Sequence, residues 1–432
     1  MVDASLPFPR ADRGLRYLFL DLNAYFASVE QQEQPQLRGK PTVVVPVEAD
    51  TSFCIAASYE AKAFGVKTGT MIRDAKAMCP GLQIVKARPP AYVAYHHRII
   101  EVCETVLPVD RVCSIDEMRF RLLGDERDPD QARRLAERMK EAIARDVGDQ
   151  MRCSIGIAPN VFLAKIATEL QKPNGLVTIE ATDLPHRLHG LKLTDFTGIN
   201  RKMAARLQAA GIFTAEDLCR TDRAEMVRAF GSVVGERYYY LLRGYEVDLD
   251  TEDRKSLSHS HVLPPALRTE TGCREVLLRL IQKASARLRA NRAWPGEMSV
   301  YVSGFDRSWK ARRKITPTQD TLVLNEVFAE MWRERDFERP RTVGVVFSDL
   351  HDRETVTPSL FDQEDTPERE ELMAAVDALN QKFGKNKIFL AGMERAKDTA
   401  SEKIAFNKTW LFAEGKGDHD WPDTFRGLRE NP

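Results

Sequence analysis

Three observations predict a protein of several α+β domains. The chain has 432 residues, about three times the usual length of one domain. Short runs of strand-forming residues alternate with segments that have the apolar spacing of helices. Basic residues are concentrated in one segment. The whole chain has 64 basic and 64 acidic residues, but residues 274–314 contain eleven basic and only three acidic ones. These differences indicate separate domains with separate roles.

The composition excludes several classes of protein. No apolar run reaches the roughly 18 residues of a membrane helix, and no signal-peptide pattern opens the sequence. The seven cysteines are scattered and form no C-x-x-C pair, which disfavours both a disulfide framework and a zinc site. We therefore expect a cytoplasmic protein that makes no membrane contact.

The first predicted strand covers residues 15–20, and Asp21 follows its end. A helix is expected to begin next, capped by Asn23, with Tyr25 and Phe26 in its first turn. Free backbone N–H groups at the start of such a helix attract phosphate. Asp21 is therefore either an ordinary strand-end residue or part of a phosphate-binding site, and this segment leaves both interpretations open.

A second predicted strand, residues 41–45, precedes a helix around residues 58–64. Tyr59 and Lys62 are three residues apart in that helix, so they share one face and offer a hydroxyl donor and a cation. Gly65 and Gly69 interrupt the helix and the following loop. A solvated lysine on an ordinary helix is the alternative.

Two adjacent carboxylates, Asp116 and Glu117, lie within the strand-forming residues 112–118. Neighbouring side chains on a strand point to opposite faces, so both could reach one ion only where the chain turns. We therefore predict a hairpin tip here. The competing interpretation is a solvated acidic turn, since turns favour Asp.

The next segments predict an amphipathic helix at residues 130–146, a strand at 151–157 and a helix at 161–167. The last helix follows Asn160 and ends before the sequence Lys-Pro-Asn-Gly at residues 172–175. Lys165 is its only basic residue. A lysine in that position usually extends its ammonium group into solvent, which is the alternative to a role in binding.

Residues 191–214 predict two helices joined by a tight turn that contains Gly198. Backbone N–H groups in such a turn can bind a DNA phosphate without reading its sequence, although a plain helical hairpin would look the same. After a change of composition at residues 244–250, a helix at 274–290 and strands at 297–302, 307–315 and 343–348 indicate a small α+β domain. Its basic surface suits phosphate contacts that weaken with salt. A further helix is predicted at 368–383.

Four sequence blocks, in the same order, resemble the Y-family, or translesion, DNA polymerases. They are residues 21–30, 58–66, 114–117 and 160–175. The resemblance spans most of residues 15–350 and implies a right-hand polymerase. The implied domains are a palm at 1–24 and 89–172, small fingers at 25–88, a helical thumb with a helix-hairpin-helix at 173–243, a linker at 244–253, a basic little finger at 254–350 and a C-terminal region at 351–432.

The resemblance also implies low-fidelity, template-directed DNA synthesis by two-metal nucleotidyl transfer. Asp21 and Asp116 would bridge two Mg²⁺ ions, which Mn²⁺ can replace, and Glu117 would favour the ion at the primer 3′-hydroxyl. The Leu22 carbonyl would be a further metal ligand. Contacts to the dNTP would come from Tyr25, Tyr59, Lys62 and Lys165. Phe26 would be the side chain that excludes a ribose 2′-hydroxyl.

The resemblance implies partners as well. Primer–template DNA would be contacted by Gly198, Asn200, Lys202, Arg287, Arg307, Lys310, Arg312 and Arg313. Thr197 and Asn200 depart from the Pro-Gly-Ile-Gly that is usual in the family's thumb hairpin, and Asn23 replaces a common Asp. Residues 357–361, with Leu360 and Phe361, resemble a motif that docks on the sliding clamp. Accessory subunits are further expected partners.

Two rival functions use a similar fold. A non-catalytic accessory protein would bind DNA and the clamp, but such relatives usually lose the metal carboxylates, and Asp21, Asp116 and Glu117 are all present here. A nucleotide cyclase built on a similar palm would need neither the thumb hairpin nor the basic domain, and its Gly-Gly-acidic signature is absent. The sequence therefore favours the polymerase.

Overall fold

The computed structural model describes residues 13–247, 256–353, 366–383 and 387–399. The chain divides into two compact units, and the division falls between Thr251 and Glu252. That position lies within the segment predicted as a linker. No helix in the described ranges is long and apolar enough to cross a membrane.

A five-stranded sheet forms the centre of the first unit. Its strand order is β5-β6-β1-β7-β8. β1 is antiparallel to both β6 and β7, while β7 and β8 are parallel. The strands are β1 (Tyr17–Leu22), β5 (Val109–Val112), β6 (Glu117–Arg121), β7 (Cys153–Ala158) and β8 (Leu176–Thr178). β8 belongs to this sheet although it lies beyond residue 172, the predicted end of the palm.

The central strand β1 is buried along its whole length, as expected for a strand with neighbours on both edges and helices on its faces. Leu18 and Leu20 are fully buried. The strand is displaced from the predicted residues 15–20 and includes Asp21, because pairing with β6 and β7 continues to that residue and beyond. Asp21 is therefore part of the sheet rather than a residue after it.

Three longer helices pack around this sheet: α4 (Pro89–Glu104), α5 (Pro129–Asp146) and α6 (Val161–Leu170). α5 and α6 correspond to predicted helices. Asn160 caps α6 by accepting a hydrogen bond from the N–H of Leu163 at 2.8 Å. α6 packs in the cluster that contains Tyr17 and Phe19. Because side chains alternate along β1, Asp21 points to that same face.

A small three-stranded sheet, with the order β3-β2-β4, occupies the part of the chain predicted as fingers. It packs with short helices around a core that includes Val43, Val45 and Ile72. The elements are α1 (Tyr25–Glu33), β2 (Thr42–Val45), β3 (Ala56–Ala57), α2 (Tyr59–Ala63), α3 (Ile72–Met78) and β4 (Gln83–Lys86).

The predicted cap of α1 is wrong. The residue before the helix is Ala24, in the left-handed conformation with φ 50°, and no side chain caps it. Asn23 instead donates a hydrogen bond to Ser154 Oγ at 3.0 Å and accepts one from the N–H of Asn174 at 2.6 Å. Its amide joins β1 to β7 and to the loop before β8, contacts that a local helix signal does not contain.

Four short helices complete the first unit: α7 (Arg201–Ala209), α8 (Ala215–Arg220), α9 (Arg223–Phe230) and α10 (Val233–Leu241). Their apolar residues, such as Leu207, Leu218 and Phe230, form one continuous core with α6 and β1. This shared core fixes the helical region against the central sheet.

The second unit contains an antiparallel sheet with the order β11-β10-β12-β9. Its elements are β9 (Ser256–Val262), α11 (Glu270–Ala290), β10 (Trp294–Arg307), β11 (Trp309–Lys314), α12 (Thr321–Trp332) and β12 (Glu338–His351). The α+β prediction for this segment is confirmed. β10 and β12 are longer than predicted, and β9 and α12 were not predicted.

A C-terminal helix, α13 (Thr366–Phe383), joins the second unit through an ion pair. Arg289 of α11 makes two hydrogen bonds to Asp377, at 2.6 and 2.9 Å. A 3₁₀ helix at Ala391–Ala396 follows, and its Met393 and Ala396 are fully buried in the core that contains Leu278. Residues beyond the predicted little finger therefore contribute to its core.

Candidate active site

Two carboxylates face each other on the central sheet. Asp21 of β1 pairs directly with Glu117 of β6, and residues directly opposite on antiparallel strands point to the same face. Asp116 lies in the loop between β5 and β6, and its carbonyl accepts a hydrogen bond from the N–H of Leu22 at 2.8 Å. The predicted hairpin tip is confirmed, and it brings Asp116 and Glu117 beside Asp21 and Leu22.

Ammonium groups compensate this concentration of negative charge. Lys165 Nζ lies 2.8 Å from Glu117 Oε1 and also donates to Asp21 Oδ2. Lys172 Nζ lies 2.7 Å from Asp21 Oδ1. Like charges directly opposite on paired strands are destabilising, so Lys165 removes a repulsion that the strand register would otherwise impose.

Glu169 of α6 forms ion pairs with both lysines. Its Oε1 lies 3.3 Å from Lys165 Nζ and 2.6 Å from Lys172 Nζ. The Lys165 side chain is only 17% exposed, so the interpretation that it extends into solvent is wrong. Lys165 is part of a partly buried ionic network.

The electrostatic environment of this network shifts pKa values in both directions. Burial raises the pKa of Asp116 to about 6, and the charges of Asp21 and Glu117 act in the same direction. The Ser114 hydroxyl donates to Asp116 Oδ1 at 2.5 Å and opposes that shift. For Lys165, burial acts to lower the pKa, but the charges of Asp21 and Glu117 outweigh it and the pKa is raised.

His96 of α4 contacts the hairpin that carries Asp116 and Glu117. Its side chain is fully buried, and its Nδ1 lies 2.7 Å from the carbonyl oxygen of Ile115. Burial lowers the pKa of His96 to about 4, so the ring is neutral at pH 7 and Nδ1 carries the proton for that hydrogen bond. The sequence did not indicate this contact, because it joins segments that are distant in the chain.

Tyr59 and Lys62 share a face of α2, as their spacing predicted. Lys62 Nζ lies 4.2 Å from the centre of the Tyr59 ring. Burial raises the pKa of Tyr59 to about 12, with contributions from the charges of Asp21 and Glu169. Burial also lowers the pKa of Lys62, and the charge of Lys172 adds to this effect. These interactions place both side chains in the electric field of the carboxylate network.

An aromatic group lies at the start of α1. The ring of Phe26 stacks on Tyr92 of α4, with ring centres 4.4 Å apart and planes inclined by 16°. The Tyr25 hydroxyl donates to the Tyr92 carbonyl at 2.6 Å. The Tyr92 hydroxyl donates to Glu30 Oε1 at 2.7 Å, and Glu30 is fully buried and paired with Arg88. Phe26 therefore packs against a ring that is itself fixed.

A cavity of about 780 Å³ extends from the ionic network to the helical region, and Lys165 and Glu169 are among its lining residues. Thr197, Gly198 and Asn200 line it as well. Gly198 has a φ of 94°, which glycine adopts without strain. Asn200 caps α7 by accepting a hydrogen bond from Met203 N–H at 2.9 Å, so this departure from the family pattern supplies a helix cap.

The carboxylates have the chemistry of a magnesium site but are paired with ammonium groups. Mg²⁺ binds through a few carboxylates together with water and substrate oxygens, and Asp21, Asp116 and Glu117 supply that donor set. Within the described residues, no three His, Cys, Asp or Glu side chains form a preassembled metal site. Lys165 pairs with both Asp21 and Glu117, so bound ions would have to displace its ammonium group.

Comparisons with known proteins agree with this geometry. A sequence model of the impB/mucB/samB family matches residues 20–169, and a model of the family's C-terminal domain matches residues 254–360. DNA polymerase IV of Moorella thermoacetica is 30% identical over 391 residues, which cover 87% of this chain and 95% of that protein. The chain belongs to the Y-family of DNA polymerases. DNA polymerase IV 1 of Bacillus subtilis, a further member, is 28% identical over 92% of this chain and 97% of its own length.

Solved structures of the Y-family show the same fold. A Y-family DNA polymerase chimera, Dbh-Dpo4(243-245)-Dbh, matches with a TM-score of 0.65 and 27% identity, covering 78% of this chain and 99% of the chimera. An insertion ternary complex of Dbh DNA polymerase matches with a TM-score of 0.51 and 26% identity, covering 78% and 99% of the two chains. The predictions of the family, the multidomain α+β polymerase fold and the enzyme class are confirmed.

The DNA contacts predicted for this Y-family chain lie in two regions. Gly198 and Asn200 lie in the turn before α7, and the exposed Lys202 lies in the first turn of that helix. In the second unit, Lys310 is exposed on β11. Four arginines there are paired: Arg287 with His259 at 2.9 Å, Arg307 with Asp336 at 2.6 Å, Arg312 with Glu297, and Arg313 with Glu334. Their DNA contacts stay predictions.

Sequence reasoning missed Lys172 and Glu169 as members of the site. Lys172 follows Lys165 by seven residues, about two helical turns, and that spacing places two side chains on one side of a helix. The spacing was a usable signal, although α6 ends at Leu170. The clamp residues predicted from the resemblance, Leu360 and Phe361, lie outside the described residues.

Proposed function

We propose that this chain adds deoxynucleotides to a primer 3′-hydroxyl under the direction of a template, including a damaged template, by two-metal nucleotidyl transfer. One observation carries the proposal. Asp21 and Glu117 are directly opposed on paired strands, Asp116 adjoins them, and Lys165 and Lys172 pair with Glu117 and Asp21. Buried charges grouped in this way contribute little net stability, which favours a functional role. Phosphoryl transfer needs both anionic metal ligands and cations near the phosphates.

Asp21, Asp116 and Glu117 would hold two Mg²⁺ ions, with the Leu22 carbonyl as a further ligand. When bound, the ions activate the primer 3′-hydroxyl and neutralise charge on the triphosphate. Mn²⁺, which also prefers oxygen ligands, is the expected substitute. The raised pKa of Asp116 fits this role, because a buried carboxylate beside two others is stabilised by a cation.

The lysines would turn from carboxylates to phosphates as substrate binds. Lys165 and Lys172 both pair with Asp21, and metal binding there would release their ammonium groups. The triphosphate offers them new anionic partners in the same place, and Lys62 and the Tyr59 hydroxyl lie in the same field. The first N–H groups of α1, near Tyr25, are the remaining donors, because they have no partner within the helix.

The sugar would be selected by shape. Phe26 lies five residues after Asp21 and is held against Tyr92. A close-packed ring cannot move aside at low cost, since packed interiors resist compression. A ribonucleotide's 2′-hydroxyl would therefore clash with a surface that a deoxyribonucleotide fits. In this proposal Tyr25 contributes through its backbone and through the hydrogen bond that its hydroxyl donates to Tyr92.

DNA would be held at two places by contacts to its backbone. The turn at Gly198 and Asn200, with Lys202, adjoins the cavity that starts at Lys165, so a primer strand bound there could reach the carboxylates. In the second unit, Lys310, Arg312, Arg307, Arg313 and Arg287 are the proposed contacts. Sliding-clamp binding through Leu360 and Phe361, and accessory subunits, belong to the same proposal.

Extension of a primed template tests the function. The wild-type chain should extend the primer with Mg²⁺ and dNTPs, whereas Asp116→Ala/Glu117→Ala should bind the same DNA without extending it. No extension by the wild type, even with a sliding clamp, would favour a non-catalytic accessory protein. That alternative is not favoured now, because all three carboxylates are present and the relatives compared above are named DNA polymerase IV.

A further inference from the structure

An exposed phenylalanine lies near the end of a 14-residue strand of the second unit. Phe305 of β10 is 39% exposed. The residues of β10 that face the helices, Met298, Val300 and Val302, are fully buried, so the strand has enough apolar residues for its core without Phe305. Single exposed apolar side chains are common on protein surfaces, so the surroundings of Phe305 decide whether it has a role.

The backbone is shaped to present this ring. Pairing between β10 and β12 shifts register between Ser303 and Gly304 and again between Gly304 and Arg307. A Cβ atom at Gly304 would lie 2.0 Å from the carbonyl oxygen of Glu338 and 2.2 Å from that of Arg307, so only glycine fits there. Irregularities of this kind can re-aim side chains, and here they lie next to Phe305.

The guanidinium groups of three arginines lie over the Phe305 ring. The guanidinium carbons of Arg339, Arg341 and Arg268 lie 5.4, 5.7 and 6.0 Å from the centre of the Phe305 ring. Asp306 pairs with Arg339 at 3.2 Å. Burial and the nearby charge of Arg341 lower the pKa of Arg268, which shows that these cations repel each other. Their arrangement suits an added anion.

The chemistry of the group identifies its ligand. An aromatic face stacks on a nucleobase, and guanidinium groups beside it bind the flanking phosphates, which is the usual way in which proteins bind unpaired nucleic acid. A duplex does not offer its base faces, because they are stacked inside it. An acidic peptide would use the arginines but would leave the ring without a matching flat partner.

We propose that Phe305, with Arg339, Arg341 and Arg268, forms a binding site for single-stranded DNA. A base stacks on the part of the Phe305 ring that is exposed, and phosphates on either side of that base contact Arg339 and Arg341. This site differs from the contacts predicted for Lys310 and Arg312, which use charge alone. It does not depend on nucleotidyl transfer, because binding requires neither Mg²⁺ nor dNTP.

Fluorescence anisotropy of a labelled oligothymidine tests the site, with the full chain and without Mg²⁺ or dNTP. Phe305→Ala should weaken binding by about tenfold, the usual effect of losing one stacked base. Phe305→Trp keeps a stacking face and should bind within about twofold of the wild type. Arg339→Gln should weaken binding and reduce the slope of log affinity against log salt by about 0.7, one phosphate contact to a single strand.

Phe383→Ala is the matched control. Phe383 is 58% exposed in the same unit, and Lys382 Nζ lies 5.3 Å from its ring, but none of the arginines that the structure describes lies over it. This variant should bind oligothymidine like the wild type, and a blunt duplex should bind Phe305→Ala like the wild type. Wild-type affinity of Phe305→Ala for oligothymidine, or an equal loss with the blunt duplex, would overturn the proposal. Primer extension, measured separately, reports on the polymerase function.

Discussion

The ion pairs of the proposed active site are buried, whereas those of Arg307 and Arg313 in the second unit are exposed. In the first unit, the side chains of Asp21 and Lys165 are 8% and 17% exposed, and each ion has two or more charged partners. In the second unit, Arg307 and its partner Asp336 are 50% and 65% exposed, and Arg313 and its partner Glu334 are 41% and 57% exposed. Buried charges that lose a partner are costly, whereas exposed pairs contribute little.

The difference indicates how each region meets phosphate. In the proposed function, the buried network would hold its groups in fixed positions, and an incoming triphosphate and its ions would exchange partners with the existing pairs. The exposed arginines can leave their carboxylates at small cost and follow a DNA backbone of any sequence. In the proposed function, the buried network would carry out chemistry at one place. The exposed arginines would make phosphate contacts that can move along the DNA backbone.

The largest effect on stability is expected at Lys165. Lys165→Met leaves Asp21 and Glu117 opposed without the ammonium group between them, and we expect the free energy of unfolding to fall by about 3 kcal/mol. Urea unfolding in EDTA measures it. Addition of Mg²⁺ should restore part of the loss, because a metal ion replaces the missing charge. Arg307→Met is the exposed control, because its partners Asp336 and Glu338 are themselves exposed, and an equal loss in both variants would contradict the distinction between the regions.

His96 should make the first unit sensitive to acid. Its pKa is about 4 in the fold and 6.5 in an unfolded chain, so above pH 6.5 the ring is neutral in both states and has no effect. As the pH falls from 6.5 to 4, only the unfolded state takes up the proton, and stability is lost, by up to about 3 kcal/mol. Asp116, whose pKa is raised, acts in the opposite sense, so the wild type must be compared with His96→Gln.

That comparison needs unfolding curves at several pH values. The difference between wild type and His96→Gln should change in favour of the variant as the pH falls below 6.5 and should level off near 4. A difference that stays constant over this range would show that the His96 ring is protonated as easily in the fold as in the unfolded chain.

Sugar discrimination should change by a smaller amount in free energy. Phe26→Val removes the ring that Tyr92 supports, and we expect ribonucleotide incorporation relative to deoxynucleotide incorporation to rise by at least about tenfold, or roughly 1.4 kcal/mol. Single-nucleotide primer extension with rCTP and dCTP measures the ratio. Phe64→Val, at an exposed position of the same region, is the control. An unchanged ratio in Phe26→Val would remove this role.

The smallest effect on stability is expected on the exposed sheet. Lys310→Gln/Arg313→Gln should change the free energy of unfolding by less than about 1 kcal/mol, because Arg313 and its partner Glu334 are both exposed. The same variant should weaken duplex DNA binding and reduce its salt slope by about 0.9 for each phosphate that the protein no longer neutralises. Anisotropy at several salt concentrations measures both, and an unchanged slope would show that these side chains do not bind phosphate.

The sequence predicted the features that depend on local pattern. The hairpin at Asp116, the helix face shared by Tyr59 and Lys62, and the α+β character of the second unit follow from turn preference and periodicity. The resemblance added Asp21 as the third carboxylate, which local pattern left undecided. Since β1 pairs with two strands that lie much later in the chain, no short segment could have indicated that Asp21 faces Glu117.

The features that were missed depend on contacts between distant segments. Asn23 has the composition of a helix cap, but Ser154 and Asn174 offer its amide better partners. β9 was missed because its serines and histidines have weak strand preference, and pairing with β12 decides its conformation. Lys172 and Glu169 join the ionic network because the fold brings their side chains to Asp21 and Lys165. Their spacing in the sequence suggests this but does not establish it.

The most direct test of the central claim is single-turnover incorporation of one dNTP, with Asp116→Asn compared with Asp110→Asn. Asp110 lies on the adjacent β5 and pairs with Arg119, outside the proposed metal ligands. Asp116→Asn should reduce the rate by about a thousandfold or more, roughly 4 kcal/mol of barrier, with DNA binding and folding retained. Asp110→Asn should react within about twofold of the wild type. A rate for Asp116→Asn within about tenfold of the wild type would contradict the claim that this carboxylate holds the catalytic ions.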